Sequence, residues 1–278
     1  MSHPRTPAGP IATALVAATL GAGCGHGAPP ASPGPLLTGV VAHRGASYDA
    51  PENTLAALDR AWALGAESCE IDVRVTADGA VVVIHDATTA RTGGVDRPVS
   101  GQTLAELQAL DVGGWKGPGF AGQRVPTLAQ ALATVPRGRM LFVEIKTGAG
   151  DAAVIAAAIA AADPGARGAA VALQAYDPDA LAAVAARLPG VPAYWTVDPP
   201  RDDGDALVPY ADDVIATATA RRFAGLAVDV RGADDRFVAA VAAAGLVLDV
   251  WTVDDPAALA GWRTRARWVE TNRPDLAR

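Results

Sequence analysis

Short apolar strands recur along this chain with helical segments between them, and this alternation limits the possible folds more than any other feature. Eight strands are predicted, at residues 38–43, 67–76, 139–146, 169–175, 191–197, 225–230, 246–252 and 267–271. The first predicted helix has Asn53 as its cap and carries Leu55, Leu58 and Trp62 at helical spacing. Ala-rich helices are predicted further on, at residues 151–162, 178–187, 205–217, 234–244 and 256–262.

This succession of strands and helices predicts an α/β fold. Over residues 38–278 it favours a (β/α)8 TIM barrel, with an open doubly wound sheet as the alternative. A further strand at residues 80–84 follows a turn and is predicted to pair with the second strand as a hairpin. Residues 87–125 are predicted to form a small insertion after the second strand, with Trp115 and Phe120 as its exposed aromatic candidates.

The amino-terminal segment has the composition of a targeting sequence. Arg5 precedes an apolar run that is too short to span a bilayer, so residues 1–23 are predicted to be an export signal. Its end resembles a bacterial lipoprotein signal, in which Cys24 would carry the lipid and tether the protein to the outer face of the cell membrane. An ordinary secretory signal and a disordered terminus are the alternatives. Residues 24–37 are predicted to be a Pro/Gly-rich linker.

The charge and the cysteine count exclude several classes of protein. A net charge of -7 and the absence of any basic run argue against a nucleic-acid surface. The chain has 2 cysteines, Cys24 and Cys69, which is too few for a disulfide framework. Lys116 and Lys146 are the only lysines among 23 basic residues, so arginine is used almost everywhere else. Because Lys146 follows Glu144 in an apolar strand, we expect it to have a chemical role.

Three carboxylates in the predicted strands indicate a cation site. Glu70 and Asp72 share one face of the second strand, because successive side chains of a strand alternate. Burying them side by side is costly without a cation, so the face is either exposed to solvent or part of a metal site. Glu144, near the end of another apolar strand, favours the metal site. Oxygen ligands of this kind select a hard divalent cation such as Ca²⁺ or Mg²⁺.

Basic and imidazole side chains lie at the same ends of the predicted strands. His43 and His85 each end an apolar strand, and a pair of histidines beside acidic residues is typical of general acid/base catalysis. A single histidine there could be a satisfied core residue. Arg44 and Lys146 add positive charge, which suits an anionic substrate, and phosphate fits best.

Several motifs, covering nearly all of residues 40–274, resemble the glycerophosphodiester phosphodiesterase family. They are V-V-A-H-R-G-A-S-Y-D-A-P-E-N-T-L, G-A-E-S-C-E-I-D-V-R-V-T-A-D-G, V-P-T-L-A-Q-A-L, L-F-V-E-I-K and V-W-T-V-D. The resemblance implies a (β/α)8 fold with a small insertion after the second strand. It also implies hydrolysis of glycerophosphodiesters to glycerol 3-phosphate and an alcohol.

The resemblance assigns roles to individual residues. It makes His43 and His85 the acid/base pair, Arg44 and Lys146 the phosphate ligands, and Glu52 a residue that orients one of these groups. The implied ligands of the divalent cation are Glu70, Asp72 and Glu144. Trp251 would stack against the glycerol part of the substrate, although a core role for this tryptophan is an equal alternative.

The chain departs from the family pattern outside these positions, at Ala175-Tyr176, Asp254 and Thr271-Asn272. These differences put the alcohol specificity in doubt and leave the chemistry in place. Two further functions stay open on the sequence alone: phospholipase D-like action on lysolipids, and a non-catalytic surface lipoprotein. The sequence also leaves open which histidine is the acid, and whether water or the 2-hydroxyl of glycerol attacks phosphorus.

Overall fold

The computed structural model describes Met1 and residues 39–277, and the strands in this part of the chain form one sheet. The strands are β1 (Gly39–Ala42), β2 (Ser68–Val75), β3 (Val81–Val83), β4 (Met140–Ile145), β5 (Ala170–Ala175), β6 (Ala193–Val197), β7 (Gly225–Asp229), β8 (Val247–Trp251) and β9 (Trp268–Thr271). The predicted signal and linker, including Cys24, lie outside the described residues.

Strand pairing closes the sheet into a barrel. The first strand, β1, pairs in parallel with β2 through Val41 and Ser68 and with β9 through Val41 and Glu270. The strands between them pair in parallel in the order β2, β4, β5, β6, β7, β8 and β9. An open doubly wound sheet would leave β1 or β9 at an edge, so the predicted (β/α)8 barrel is confirmed and the alternative is excluded.

The predicted hairpin is also present, because β3 pairs antiparallel with β2 through Val73 and Val83.

Side chains of the strands alternate between the barrel interior and the surrounding helices. Cys69, Ile71 and Val73 of β2 belong to the large apolar cluster that includes the helices. A smaller cluster fills one end of the barrel and is built from one or two residues of each contributing strand, among them Val41, Phe142, Ala172, Tyr194, Ala227 and Trp268. Moving two residues along each strand from this cluster reaches polar side chains at the carboxyl ends, where the loops of such barrels form the active site.

The helices surround the barrel. They are α1 (Leu55–Ala63), α2 (Ala90–Gly93), α3 (Leu104–Ala109), α4 (Leu128–Thr134), α5 (Ala152–Ala162), α6 (Pro178–Ala185), α7 (Asp212–Ala220), α8 (Asp235–Ala243) and α9 (Pro256–Trp262). The predicted cap of α1 is wrong by one residue: Thr54 accepts a hydrogen bond from the backbone N–H of Ala57, and Asn53 has φ 58°. The Asn53 side chain donates to the Asp72 carboxylate instead, which makes it part of the site.

The start predicted for α7, at residue 205, is also wrong. The Asp202 carboxylate accepts hydrogen bonds from the backbone N–H groups of Gly204 and Ala206, which closes a turn in place of a first helical turn. Asp205 has φ 66°, outside the helical region. Pro209 follows and has no N–H to donate. The helix therefore begins only at Asp212.

Residues 87–125 form the segment between the hairpin and α4 and contain α2 and α3. Val99, Leu107, Val112 and Val125 are buried in a small apolar cluster of their own, with Val82 and Ile84 from the hairpin. The backbone N–H groups of Gly113, Gly114 and Gly122 all donate to the Asp111 carboxylate, which folds the Gly-rich part of the segment around one side chain. These contacts fix the segment on the rim of the barrel beside the carboxyl end of β2.

One part of the chain, Ala149–Arg167, has the length and composition of a membrane span, with a mean hydropathy of 1.2 over a window of 18 residues. Its central helix α5 is rich in alanine, which raises the hydropathy of every face. Ile155 and Ile159 of α5 are buried in the main apolar cluster, so α5 packs as an outer helix of the barrel.

Candidate active site

Three buried carboxylates meet inside the barrel at the carboxyl ends of β2 and β4. One oxygen each from Glu70, Asp72 and Glu144 lies within 4.8 Å of the other two. Asp72 pairs with Glu144 in the register of β2 and β4, and Glu70 lies one inward-facing position earlier on β2. The structure therefore brings together the three carboxylates that the sequence analysis selected.

Each of these carboxylates has a buried oxygen that accepts no hydrogen bond from any described residue: Glu70 Oε1, Asp72 Oδ1 and Glu144 Oε1. Burial raises the pKa of Glu70, and the neighbouring Asp72 charge raises it further. Burial and the Asp72 charge also raise the pKa of Glu144, to about 7. Three hard carboxylate donors that repel one another are the donor set that Ca²⁺ or Mg²⁺ prefers, so the residues present fit such an ion.

Two basic side chains border the carboxylates. Lys146 Nζ lies 2.8 Å from Glu144 Oε2 and 3.2 Å from Asp72 Oδ1. Arg44 Nε lies 3.4 Å from Asp72 Oδ2, and the backbone N–H of Arg44 donates to Glu70 Oε2. Burial alone would raise the pKa of Asp72, but Lys146 and Arg44 lower it overall, so Asp72 is the ionised member of the carboxylate group.

His43 is held by residues that follow the last strand of the barrel. Its Nδ1 lies 2.8 Å from Asn272 Oδ1, which also accepts a hydrogen bond from the Ser47 hydroxyl. An amide oxygen can only accept, so this contact places the proton on Nδ1 and leaves the lone pair on Nε2. Burial and the nearby Arg44 charge lower the pKa of His43 to about 4. His43 is therefore neutral at neutral pH.

His85 is held by a carboxylate. Its Nδ1 lies 2.7 Å from Asp86 Oδ1. Burial lowers the pKa of His85, while the Asp72 charge and the hydrogen bond to Asp86 oppose that change. Arg91 of α2 donates to the other Asp86 oxygen, and this hydrogen bond, together with His85, lowers the pKa of Asp86 to about 2.

Glu52 links the two halves of the site. Arg91 donates to both oxygens of Glu52, at 2.7 and 2.8 Å, and Arg44 donates to one of them at 2.9 Å. The contacts therefore form one connected series from His85 through Asp86, Arg91 and Glu52 to Arg44. This geometry agrees with an orienting role for Glu52, and it adds Arg91, which the sequence analysis did not select.

Both histidines line one cavity of about 110 Å³ at the barrel mouth. The remaining residues that line it are Arg44, Glu144, Lys146, Gln174, Tyr176, Thr196, Trp251, Thr252 and Glu270. The Trp251 ring packs edge-on against Tyr176, at 6.2 Å between centroids. Lys146 Nζ lies 5.2 Å from the centroid of the Tyr176 ring. Trp251 thus faces the cavity, in the position that a residue contacting substrate would need.

Two more acidic side chains lie inside the barrel, and the sequence analysis missed them. Asp249 and Glu270 are fully buried, and the Gln174 amide donates to both, at 2.9 and 2.8 Å. Burial raises the pKa of Asp249 to about 8 and also raises the pKa of Glu270. The strand alternation contained the necessary information, because Asp249 lies two residues before Trp251 and Glu270 two residues after Trp268.

Two relatives share part of their sequence with this chain. A glycerophosphodiester phosphodiesterase of Caldanaerobacter subterraneus is 46% identical over 114 residues, which are 41% of this chain and 47% of that protein. A Bacillus subtilis glycerophosphodiester phosphodiesterase is 35% identical over 124 residues, which are 42% of each protein. The matched segments span less than half of either relative.

Solved structures match over more of their length. An Oleispira antarctica phosphodiesterase, in complex with the product sn-glycerol-3-phosphate, is 27% identical with a TM-score of 0.76, covering 86% of this chain and 94% of that one. A glycerophosphodiester phosphodiesterase from Agrobacterium tumefaciens is 27% identical with a TM-score of 0.68, covering 86% of this chain and 98% of that one.

The sequence model of the glycerophosphoryl diester phosphodiesterase family matches residues 43–276. The match includes both histidines, the three carboxylates and the two basic residues described above. It covers most of the chain, and the protein therefore belongs to the glycerophosphoryl diester phosphodiesterase family, which is a family of enzymes.

Proposed function

We propose that this protein hydrolyses glycerophosphodiesters to sn-glycerol 3-phosphate and an alcohol. One observation carries the proposal: two imidazoles, two basic side chains and a carboxylate of the cation site line the same small cavity. This combination suits an anionic diester, because the cations bind the phosphate while the imidazoles transfer protons. The Oleispira antarctica phosphodiesterase, bound to sn-glycerol-3-phosphate, supports the same substrate class.

The proposal includes a divalent cation, Ca²⁺ or Mg²⁺, held by Glu70, Asp72 and Glu144. Such a cation supplies positive charge that stabilises the phosphoryl oxygens as displacement proceeds. Arg44 and Lys146 supply further positive charge from the protein at the same place. Arg44 also offers a forked contact, while Lys146 acts as a point charge.

The two histidines have different partners, and this difference supports different roles. In our proposal His43 accepts the proton of the attacking hydroxyl at Nε2, because its Nδ1 proton is bound to Asn272 and its pKa is low. The bond between phosphorus and the alcohol oxygen breaks, and His85 gives a proton to that oxygen. The Asp86 carboxylate stabilises the charged form of His85 that must supply this proton.

The attacking hydroxyl belongs either to water or to the 2-hydroxyl of the glycerol part. Attack by the 2-hydroxyl would form a cyclic phosphate before water opens it. Hydrolysis in ¹⁸O-labelled water, stopped after a single turnover, separates the two routes. Label in the first product supports direct attack by water, whereas an unlabelled cyclic product supports the 2-hydroxyl.

Purified protein tests the function when it is incubated with glycerophosphodiesters in the presence of Ca²⁺ or Mg²⁺. We expect release of sn-glycerol 3-phosphate, loss of that activity in EDTA, and recovery when either ion is added in excess. An enzyme that is equally active in EDTA would contradict the proposed cation. A protein that hydrolyses no diester under any of these conditions would contradict the function itself.

Lysolipid substrates, the phospholipase D-like alternative, receive no support from the surface. Apart from Met1, the exposed large apolar residues in the described part of the chain are Tyr48, Val95, Trp115 and Tyr176. Three of these are aromatic side chains, and Tyr176 sits among charged residues in the cavity beside Lys146. A long acyl chain would need a continuous apolar surface.

We also infer that the protein is exported and carries a lipid on Cys24. The composition of residues 1–23 and of the following linker supports this inference. Expression of the full chain and of Cys24→Ala in a bacterial host tests it. We expect the native chain in the membrane fraction and the variant in the soluble exported fraction. If both fractionate alike, the inference about Cys24 is wrong.

A further inference from the structure

A second, outer cavity adjoins the one that holds the carboxylates. It has a volume of about 330 Å³, and His43 and Arg44 line both cavities. A phosphodiester has two ester arms on one phosphorus atom. If the phosphate is bound at His43 and Arg44, as the proposed function requires, one arm extends into each cavity. The inner cavity is the smaller of the two, so the outer one is left for the larger and more variable arm, the alcohol.

Residues from several separate parts of the chain build the outer cavity, among them Asn272 after β9. Ser47 and Tyr48 follow β1, Trp115 and Lys116 belong to the insertion, and Asp254 follows β8. Lys116 Nζ donates to the backbone oxygen of Ser47 at 2.7 Å, which ties the insertion to the barrel across the cavity. The Trp115 indole N–H donates to Val112 O. These bonds hold the wall in place without a ligand.

The exposed aromatic rings of this cavity already have cations beside them. Lys116 Nζ lies 5.8 Å from the centroid of the Trp115 ring. The Arg273 guanidinium lies 4.2 Å from the centroid of the Tyr48 ring. A quaternary ammonium ion binds most tightly to aromatic faces that are free of other cations. Such an ion would here meet like charges at both rings.

The carboxylates that line the outer cavity are already bound to protein donors. Glu52 is held by Arg44 and Arg91, so its charge is neutralised. Asp254 accepts from the Thr271 hydroxyl and from the backbone and side-chain N–H groups of Asn272. A cationic head group would therefore have to displace these donors from Asp254, and it would meet the cations that already lie beside both rings. Hydroxyl groups, by contrast, can share these donors and acceptors.

We propose that the outer cavity binds the alcohol arm of the diester and selects neutral polyhydroxy alcohols, such as glycerol or a cyclitol, over quaternary-ammonium alcohols. This inference rests on the proposed function. The hydroxyls of the alcohol bond to Lys116 and Asp254, and its C–H surface packs on the exposed Trp115 ring. The insertion thus determines which diester is hydrolysed, while the barrel supplies the chemistry.

Four diesters of sn-glycerol 3-phosphate test the selection: those with glycerol, inositol, choline and methanol. We expect kcat/KM for the glycerol and inositol diesters to exceed that for the choline diester by about tenfold or more. The methyl diester has no arm that could fill the outer cavity and serves as the internal control. A choline diester that is hydrolysed as well as the polyol diesters would overturn the selection.

Two variants test whether the residues that line the outer cavity determine the preference for polyol diesters. Trp115→Ala is expected to lower kcat/KM for the polyol diesters about tenfold and to leave the methyl diester within about twofold. Lys116→Met is expected to reduce the difference in kcat/KM between the choline and polyol diesters, because it removes the cation beside the Trp115 ring. Arg97→Met, which changes an exposed charge of the insertion that is paired with Glu106, should alter none of these ratios.

The outcomes separate the two proposals. Equal loss on all four diesters in Trp115→Ala would mean that Trp115 supports the fold alone, and the inference would be wrong. Wild-type protein that hydrolyses no diester, the methyl one included, would overturn the proposed function. Wild-type protein that hydrolyses the methyl diester but prefers choline would overturn only the selection.

Discussion

The roles proposed for His43 and His85 depend on the hydrogen-bond partner of each side chain. Both imidazoles face one cavity, but a neutral amide holds the first and a carboxylate holds the second. Because burial and the nearby Arg44 charge keep His43 neutral, it can accept a proton at neutral pH. The carboxylate beside His85 favours the form that carries a proton to give.

Replacement of either histidine by alanine is expected to lower kcat/KM by about 10²-fold to 10⁴-fold, because one proton transfer loses its side chain. Steady-state kinetics on a glycerophosphodiester measures the loss, and circular dichroism checks that each variant is folded. His26→Ala in the predicted linker is the matched control and should retain full activity. Turnover within a few-fold of wild type in His43→Ala or His85→Ala would remove that residue from the mechanism.

Arg91 is expected to set the protonation of His85, although it touches neither the imidazole nor the cavity. Arg91→Gln leaves Asp86 with His85 as its nearest cation, so the pKa of His85 should rise. The limb of the pH profile of kcat that reports His85 should then move to higher pH, and kcat/KM should fall about tenfold.

Arg91→Lys keeps the charge but loses the forked contact with Glu52, and should restore activity only in part. Arg97→Gln, in the same insertion, should change neither the rate nor the profile. A fall in rate in Arg91→Gln without any shift of the profile would indicate that Arg91 only supports the fold of the insertion.

The candidate site residues at strand ends could be predicted from the sequence, but their hydrogen-bond partners far away in the chain could not. Glu70, Asp72 and Glu144 follow from the alternation of side chains in apolar strands. Asn272, by contrast, lies 229 positions after His43, and only the closed barrel brings the two together. The prediction of Asn53 as a helix cap was wrong, because nothing near it in the sequence reveals its hydrogen bond to Asp72.

Helix α1 positions the loop that carries Glu52 and Asn53, and Leu58 anchors that helix. Leu58 is fully buried, so Leu58→Ala removes apolar contacts and leaves a cavity. We expect the free energy of unfolding to fall by about 2–5 kcal/mol, measured by urea denaturation. The exposed neighbour Asp59 offers a control, since Asp59→Ala should stay within about 0.5 kcal/mol of wild type. Equal stability of the two variants would mean that α1 contributes little to packing.

At the scale of elements, the regular repeat was predictable and the irregular connections were not. Apolar runs located every barrel strand, and the Ala-rich segments located α5, α6, α8 and α9, whereas α4 was not predicted. The segment before α7 was misjudged because its carboxylate-closed turn at Asp202 has the same polar composition as a helix start. The insertion was predictable as an interruption of the repeat, but not its Arg91 contacts, which depend on its packing.

The barrel buries several acidic side chains, and the free energy of unfolding should therefore depend on pH. Asp249, with its pKa raised to about 8, holds a proton in the folded protein that the unfolded chain releases near pH 4. Between these pH values the folded state binds one more proton than the unfolded state. The contribution of Asp249 to the free energy of unfolding therefore falls as pH rises, and it is lost above pH 8.

Asp249→Asn removes this titration while keeping the size of the side chain. In EDTA, the free energy of unfolding of the variant relative to wild type should therefore rise between pH 5 and pH 9, by about 4 kcal/mol. Urea denaturation at several pH values measures the difference. The exposed Asp203→Asn serves as the control and should show a flat difference. A flat difference for Asp249→Asn would mean that Asp249 is ionised in the folded protein.

The pairing of β1 with β9 joins residues 39–42 to residues 268–271. Any process that delivers the chain amino end first, whether synthesis or passage across a membrane, presents β1 long before its second partner exists. Until Thr271 and Asn272 arrive, the barrel stays open and His43 lacks its amide. The closed barrel and the hydrogen bond to His43 therefore form in the same late step, when β9 and Asn272 emerge.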